Sequence, residues 1–98
     1  MRVFTKKTLK EYWKKHPDCS LQLLTWYKVV KNVTWTSFED IKAVFNTADY
    51  IGNKRIVFNI KGNDYRLIAK FNFEKGWVFV RFIGTHAEYD KIKDIKNI

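Results

Sequence analysis

The hydrophobic periodicity of the chain changes near residue 55, and this change limits the folds that the chain can adopt. Before it, apolar residues such as Leu9 and Tyr12 recur three and four positions apart, which is the spacing of one face of an α-helix. After it, Ile56, Phe58 and Ile60 alternate with other residues, which is the period of a β-strand. The sequence therefore predicts an α+β domain in which helices precede a sheet.

The N-terminal half predicts three helices. The first covers about residues 6–15 with Thr5 as its N-cap, the second runs from Asp18 or Ser20 to Asn32, and a short third helix follows Ser37. Because Pro17 separates the first two helices by so short a connection, they are expected to pack antiparallel as a helical hairpin.

The C-terminal half predicts a small antiparallel sheet and a last helix. A loop is expected at 46–54 and a C-terminal helix at about 86–96, capped by Thr85; a short edge strand at 2–4, near the N-terminus, is also expected. The three strands of the predicted meander cover about 55–61, 64–73 and 77–83. With 98 residues the chain is expected to form one domain, residues 1–98, with helices on one face of the sheet and the other face free.

The charge of the chain is strongly positive. Nineteen Lys and Arg residues against ten Asp and Glu residues give a net charge of +9. This balance favours polyanionic partners through phosphate contacts and counterion release, although a merely soluble, charged surface would also explain it. The single cysteine, Cys19, excludes an internal disulfide, and the N-terminus lacks the apolar segment of a signal peptide. A cytoplasmic protein without a membrane partner is therefore expected.

The free sheet face is the first candidate binding surface. Asn59, Lys61, Arg66 and Lys70 are expected to project from neighbouring strands on this face. Arginine can hold one phosphate with two parallel hydrogen bonds, so Arg66 is a candidate phosphate ligand. The alternative is an ordinary polar sheet face.

The second candidate group follows the last predicted strand. His86 and Tyr89 are three residues apart, so on a helix they share a face, and that face lies at the rim of the sheet. RNA cleavage without a metal needs a base for the 2′-hydroxyl, cations for the phosphorane and an acid for the 5′ oxygen. His86 can act as base or acid, Tyr89 can do so beside cations, and Arg66, Arg81 and Lys61 could supply charge. The alternative makes Tyr89 core and His86 a surface helix cap.

Other chemistries have weaker support in the sequence. The two histidines lie on distant segments and there is no cysteine pair, so neither a metal site nor another cofactor is predicted. Tryptophans can stack on bases, but three of them lie in periodic apolar patterns and are predicted to be core: Trp13, Trp26 and Trp77.

Two C-terminal segments, residues 55–68 and 80–92, resemble the HigB toxins of the RelE superfamily. The likeness extends to the helical half through residues 38–45, so it covers nearly the whole chain. It implies a RelE-like fold and metal-independent cleavage of translated mRNA in the ribosomal A site, beside 16S rRNA, with a 2′,3′-cyclic phosphate product. It also implies a HigA-type antitoxin with a helix-turn-helix domain, through which the pair would bind operator DNA.

The resemblance carries over unevenly to single residues. Arg66 matches the arginine of the family's Tyr-Arg-Leu strand, which contacts the scissile phosphate, and Tyr89 matches the catalytic C-terminal tyrosine of RelE-like toxins. His86 falls near a second arginine of RelE toxins. Val57 and Asn59 stand where RelE toxins have paired lysines, so that pair is missing here.

The predicted catalytic residues are therefore Arg66, Tyr89 and His86, with His86 as the favoured general base. The predicted RNA-binding residues are Lys61, Asn59, Lys54, Lys70, Arg81 and Lys91. Two other interpretations remain open: a non-catalytic basic module that binds RNA or the ribosome, and an interaction subunit that inhibits a polymerase or gyrase.

Overall fold

The computed structural model describes all residues, 1–98, and contains helices and strands as the α+β prediction requires. Its helical elements are α1 (Lys6–Lys15), a 3₁₀ turn (Pro17–Cys19), α2 (Ser20–Asn32), α3 (Phe38–Val44) and α4 (His86–Asp90). Its strands are β1 (Arg2–Val3), β2 (Asp49–Gly52), β3 (Arg55–Ile60), β4 (Tyr65–Asn72) and β5 (Trp77–Thr85).

The sheet has five strands in the order β1-β5-β4-β3-β2. The antiparallel meander of β3, β4 and β5 is confirmed. The prediction of an entirely antiparallel sheet is wrong, because β1 pairs parallel to β5, where the Arg2 N–H donates to the Gly76 carbonyl at 2.8 Å. The predicted loop at 46–54 also contains β2, which pairs with β3. The short edge strand predicted at 2–4 is therefore confirmed as β1, and only β2 is an addition. The pairing of both short strands depends on distant residues rather than on a local repeat.

One face of the sheet packs against the helices, and we call it the helical face. A cluster of 18 buried residues fills this interface, with Trp26 of α2 placed edge-on to Phe58 of β3 at 5.4 Å between ring centroids. The members contributed by the three meander strands are Ile56, Phe58, Ile60, Tyr65, Leu67, Ala69, Phe71, Val78 and Val80. Their alternation with other residues determines which side chains project from the opposite face.

We call that opposite face the open face, and the strand register defines its rows. The prediction that this face is free holds only at its ends, because Val57 and Ile68 in its middle are 2% and 0% exposed. Asn59 of β3 lies opposite Arg66 of β4, which lies opposite Gly84 of β5. Further along the strands, Lys70 lies between Arg55 and Phe79. A bulge at Arg81 separates these rows, since Ile68 pairs with Phe82 whereas Ala69 pairs with Val80.

Two predicted helix ends differ from the structure. The Thr5 side chain does not cap α1; its hydroxyl accepts a hydrogen bond from the Val80 N–H at 2.8 Å, beside the bulge of β5. The C-terminal helix ends at Asp90 instead of residue 96. The following segment is held at the sheet, where the Ile98 carbonyl accepts hydrogen bonds from the guanidinium groups of Arg55 and Arg81. None of the helices is long and apolar enough to span a bilayer.

The core predicts a strong effect for one aromatic residue. Phe58 is 1% exposed and contacts the rings of Trp26, Phe45 and Phe71, so truncation leaves a cavity at the centre of the interface. We expect Phe58→Ala to lower the free energy of unfolding by about 3–5 kcal/mol in urea denaturation. Leu21→Ala, at a side chain that is 69% exposed, should change it by less than about 0.5 kcal/mol. Equal losses in the two variants would contradict this description of the core.

Candidate active site

A pocket of about 250 Å³ opens at one end of the open face and contains two of the predicted catalytic residues. Arg66 and Tyr89 line it together with Asn59 of β3. The other wall comes from α3 and the segment that leads into β2. The residues of that wall are Lys42, Thr47, Ala48 and Asp49.

The Arg66 guanidinium is held in place from two sides. Its Nε and Nη2 atoms donate hydrogen bonds to Asn63 Oδ1 at 3.1 and 2.8 Å. Its Cζ atom lies 5.0 Å from the centroid of the Tyr89 ring, in cation–π geometry. Because guanidinium carries five N–H donors, these contacts leave donors free for a phosphate in the pocket. Asn63 therefore orients this arginine.

Helix α4 has only five residues, so its position depends on contacts at its N-terminus. Thr85 and Glu88 form a capping box: Thr85 Oγ1 accepts from the Glu88 N–H, and Glu88 Oε1 accepts from the Thr85 N–H at 2.9 Å. The predicted cap at Thr85 is thus confirmed. The His86 N–H donates to the Asp64 carbonyl at 3.0 Å, which joins α4 to the turn between β3 and β4.

His86 lies on the same helix as Tyr89, with 6.4 Å between their ring centroids. Its Nδ1 atom is 2.9 Å from Asp90 Oδ2, one helical turn further on. An ionised carboxylate only accepts hydrogen bonds, so Nδ1 carries the hydrogen in this pair and Nε2 is left as the basic nitrogen. Asp90 was missed in the sequence, although its i, i+4 spacing from His86 is the signal that could have identified it.

Arg66, Tyr89 and His86 therefore form a connected series, of which Arg66 and Tyr89 line the pocket with Asn59 and His86 lies beside it on α4. Lys70 and Arg81 lie further along the same face, where Arg81 Nε donates to the Ile98 carbonyl at 3.0 Å. Lys91 is exposed directly after α4. Their RNA-binding roles, and that of the exposed Lys54 in the turn before β3, stay predictions.

Lys61 does not project from the open face as predicted. Strand β3 ends at Ile60, and Lys61 adopts a left-handed conformation with φ of 52° in the following turn. This turns its ammonium toward the 3₁₀ turn, 3.3 Å from Asp18 Oδ2. The Tyr65 hydroxyl donates to the same carboxylate, which raises the pKa of Tyr65 to about 12 and lowers the pKa of Asp18. Lys61 therefore belongs to a cluster on the helical side of the sheet.

The sequence also missed the pocket wall around Lys42, whose Nζ donates to the Ala48 carbonyl at 2.8 Å. No periodicity or spacing links α3 to Arg66, because the two meet only through the pairing of β2 with β3. No three or more His, Cys, Asp or Glu side chains are grouped closely enough to hold a metal ion.

Over most of its length the chain is similar to RelE-like toxins. Residues 19–92 match the family model of HigB_toxin, described as a RelE-like toxic component of a toxin-antitoxin system. The mRNA interferase HigB of Escherichia coli O6:H1 is 34% identical over 94 residues, covering 94% of this chain and 91% of that protein. The mRNA interferase toxin HigB of Escherichia coli K12 is 33% identical over 93 residues, covering 92% and 88%. The chain therefore belongs to the HigB toxin family, which confirms the resemblance seen in the sequence.

The capping box of α4 predicts a pH-dependent stability. The Thr85 N–H bond to the Glu88 carboxylate lowers the pKa of Glu88 below its ordinary value of 4.5. Because the pKa is lowered on folding, this stabilisation is complete above pH 4.5 and is lost as the pH falls through the folded-state pKa. In urea denaturation below pH 4.5, we expect the free energy of unfolding to fall less steeply for Glu88→Gln than for the wild type.

Thr85→Ala removes the hydroxyl half of the same box. It should lower the free energy of unfolding by about 1 kcal/mol at neutral pH, which is the usual contribution of an N-cap side chain. A Glu88→Gln variant with the full wild-type pH dependence would show that the carboxylate does not support α4.

Proposed function

We propose that this chain is an mRNA interferase, an endoribonuclease toxin of a type II toxin-antitoxin system that cuts mRNA on the ribosome. The observation that carries the proposal is the series of contacts that links Arg66 and Tyr89, which line the pocket, to His86 beside it on α4. Membership of the HigB toxin family and the net charge of +9 support it further. The names of the Escherichia coli relatives give the same activity.

Binding of the scissile phosphate is assigned to Arg66. Asn63 and the Tyr89 ring orient the guanidinium, so less freedom is lost when a phosphate binds. The remaining N–H groups would donate to the non-bridging oxygens, whose negative charge increases in the phosphorane. Asn59, opposite Arg66 in the register, supplies an amide that can bond the ribose or the base of the same nucleotide.

Proton transfer is assigned to His86 and Tyr89. The Nε2 atom of His86 would accept the 2′-hydroxyl proton while the 2′ oxygen attacks phosphorus, and Asp90 would stabilise the resulting imidazolium. As the bond from phosphorus to the 5′ oxygen breaks, the Tyr89 hydroxyl would donate its proton to the leaving oxygen. The products are a 2′,3′-cyclic phosphate and a 5′-hydroxyl end, and every step uses a side chain of the pocket or of α4 beside it.

The biological setting is part of the same proposal. The toxin would act in the cytoplasm, in the ribosomal A site beside 16S rRNA. A HigA-type antitoxin with a helix-turn-helix domain would silence it, and the pair would bind operator DNA only through the antitoxin. The finer RelE-like arrangement is also proposed: one domain over residues 1–98, with α1 and α2 as an antiparallel hairpin on the helical face and α4 as the C-terminal helix.

Primer extension tests cleavage directly. Induction of the chain without its antitoxin should create new, discrete 5′ ends within translated mRNA, and Arg66→Ala should abolish them. A module that only binds RNA or the ribosome would reduce translation without new ends, and that result would refute the nuclease proposal. Ends that also arise on untranslated RNA would refute the ribosome requirement alone.

The two histidines provide a matched test of the base. His86→Gln should relieve growth arrest and reduce cleavage by roughly 100- to 10,000-fold, the usual contribution of general acid–base catalysis. His16→Gln should keep wild-type toxicity, because His16 stacks on Tyr12 at 4.2 Å on the helical side of the sheet. Full toxicity of His86→Gln would remove His86 from the mechanism.

A further inference from the structure

Three aromatic side chains form a second cluster at the other end of the open face. Phe4 stacks on Phe79 with 4.8 Å between centroids and an interplanar angle of 8°, and meets Trp77 edge-on at 5.6 Å. Trp77 and Phe79 lie 6.4 Å apart at an interplanar angle of 86°. We call Phe4, Trp77 and Phe79 the aromatic edge cluster, because β1 beside it is the edge strand of the sheet.

The cluster is separate from the hydrophobic core. None of its members belongs to the 18-residue core or packs against it as a partly buried neighbour. Phe4 is 41% exposed, and the other two rings are half-buried. The prediction that Trp77 is core is therefore wrong: Val78 and Val80 take the helical face, so Trp77 and Phe79 project from the open one. An aromatic cluster that the core does not use and that stays partly exposed is a candidate interaction surface.

Two cations lie over the faces of the aromatic rings. The Arg2 Cζ atom lies 4.5 Å from the centroid of Phe4, and Lys75 Nζ lies 4.6 Å from that of Trp77. Neither side chain is paired with a carboxylate, so both charges are available to an anionic partner. Stacking surfaces beside unpaired cations are the features with which proteins hold single-stranded nucleic acid.

The cluster lies in line with the catalytic pocket. Trp77 is opposite Asn72 and Gly84 is opposite Arg66, so the two sites are six strand positions apart on β4. At about 3.3 Å per residue this separation is roughly 20 Å. Lys70 and Arg81 lie between them on the same face. The middle of the face between them is covered, since Val57 and Ile68 are 2% and 0% exposed and the Ile98 carbonyl lies against Arg81. The pocket and the aromatic surface therefore lie at the two ends of one face, with the C-terminal residue between them.

We propose that the aromatic edge cluster, with Arg2 and Lys75, binds the mRNA single strand roughly 20 Å from the cleaved linkage. A base would displace the flexible Lys75 side chain from the Trp77 ring and stack in its place, while Lys75 and Arg2 turn to the adjoining phosphates. Stacking of this kind is tolerant of sequence, because every base has a π face. This inference rests on the proposed function, since it assigns the path of the substrate that Arg66 is proposed to bind.

The test uses RNA that cannot be cut. Two 2′-O-methylated single strands are compared, a dinucleotide that fills only the pocket and a strand of about 10 nucleotides, within the site sizes of single-strand binding domains. Affinity is measured by fluorescence anisotropy for the wild type, Trp77→Ala and Lys75→Ala. Tyr50→Ala and Lys10→Ala are the matched controls: Tyr50 is half-exposed beside Ile56, on the helical face, and Lys10 is exposed on α1.

Trp77→Ala should weaken binding of the long strand at least about fivefold, the low end for loss of one stacked base, and leave the dinucleotide unchanged. Lys75→Ala should act in the same direction, and it removes only an exposed side chain if Trp77→Ala fails to fold. The controls should bind both strands as the wild type does. Wild-type affinity of the folded Trp77 and Lys75 variants for the long strand would overturn the inference.

Further measurements distinguish mRNA from other partners of the cluster, and distinguish failure of this inference from failure of the nuclease proposal. If the variants lose binding to the purified antitoxin but keep RNA affinity, the cluster is a protein interface and the inference fails. Loss of binding to vacant ribosomes with unchanged binding of the long strand would assign the cluster to ribosomal RNA, which also overturns it. A length-dependent RNA affinity that needs Trp77, in a protein that leaves no new 5′ ends, would sustain this inference while the nuclease proposal fails.

Discussion

Burial of Tyr65 and Leu67 on the helical face sets the direction of Arg66, which lies between them on β4. Alternation along the strand then forces the guanidinium onto the open face, where it meets Tyr89. A shift of the strand by one residue would place the guanidinium in the core and two apolar side chains in the pocket. The hydrophobic core and the candidate site are therefore specified by the same register.

The turn between β3 and β4 connects the parts of the site. Asn63 holds Arg66, and the Asp64 carbonyl accepts the His86 N–H, so one short segment orients a phosphate ligand and the start of α4. At its first residue, Lys61 contacts Asp18 on the helical side. A helix of five residues has little stability of its own, and these contacts together with the capping box fix the positions of His86 and Tyr89. The turn thus has a structural function and a role in organising the site.

The open face is divided along its length into regions of different chemistry. At one end, Arg66 and Tyr89 line the pocket, and His86 lies beside Tyr89 on α4. The middle is covered: Val57 and Ile68 are buried there, and Arg55 and Arg81 hold the Ile98 carbonyl. The aromatic edge cluster lies at the other end. The proposed contacts with a single strand therefore lie at the two ends of this face.

The sequence by itself determined the features that depend on neighbouring residues. The period-two pattern placed Arg66 on the face opposite Tyr65, the spacing of His86 and Tyr89 put them on one helix, and Thr85 marked where that helix begins. The two C-terminal segments also identified the family. Tertiary structure decided the rest: the partners of β1 and β2, the direction of Lys61, the pocket wall at Lys42 and the surface position of Trp77. These features depend on which distant segments meet, and local periodicity records only which face a residue occupies, not what lies across from it.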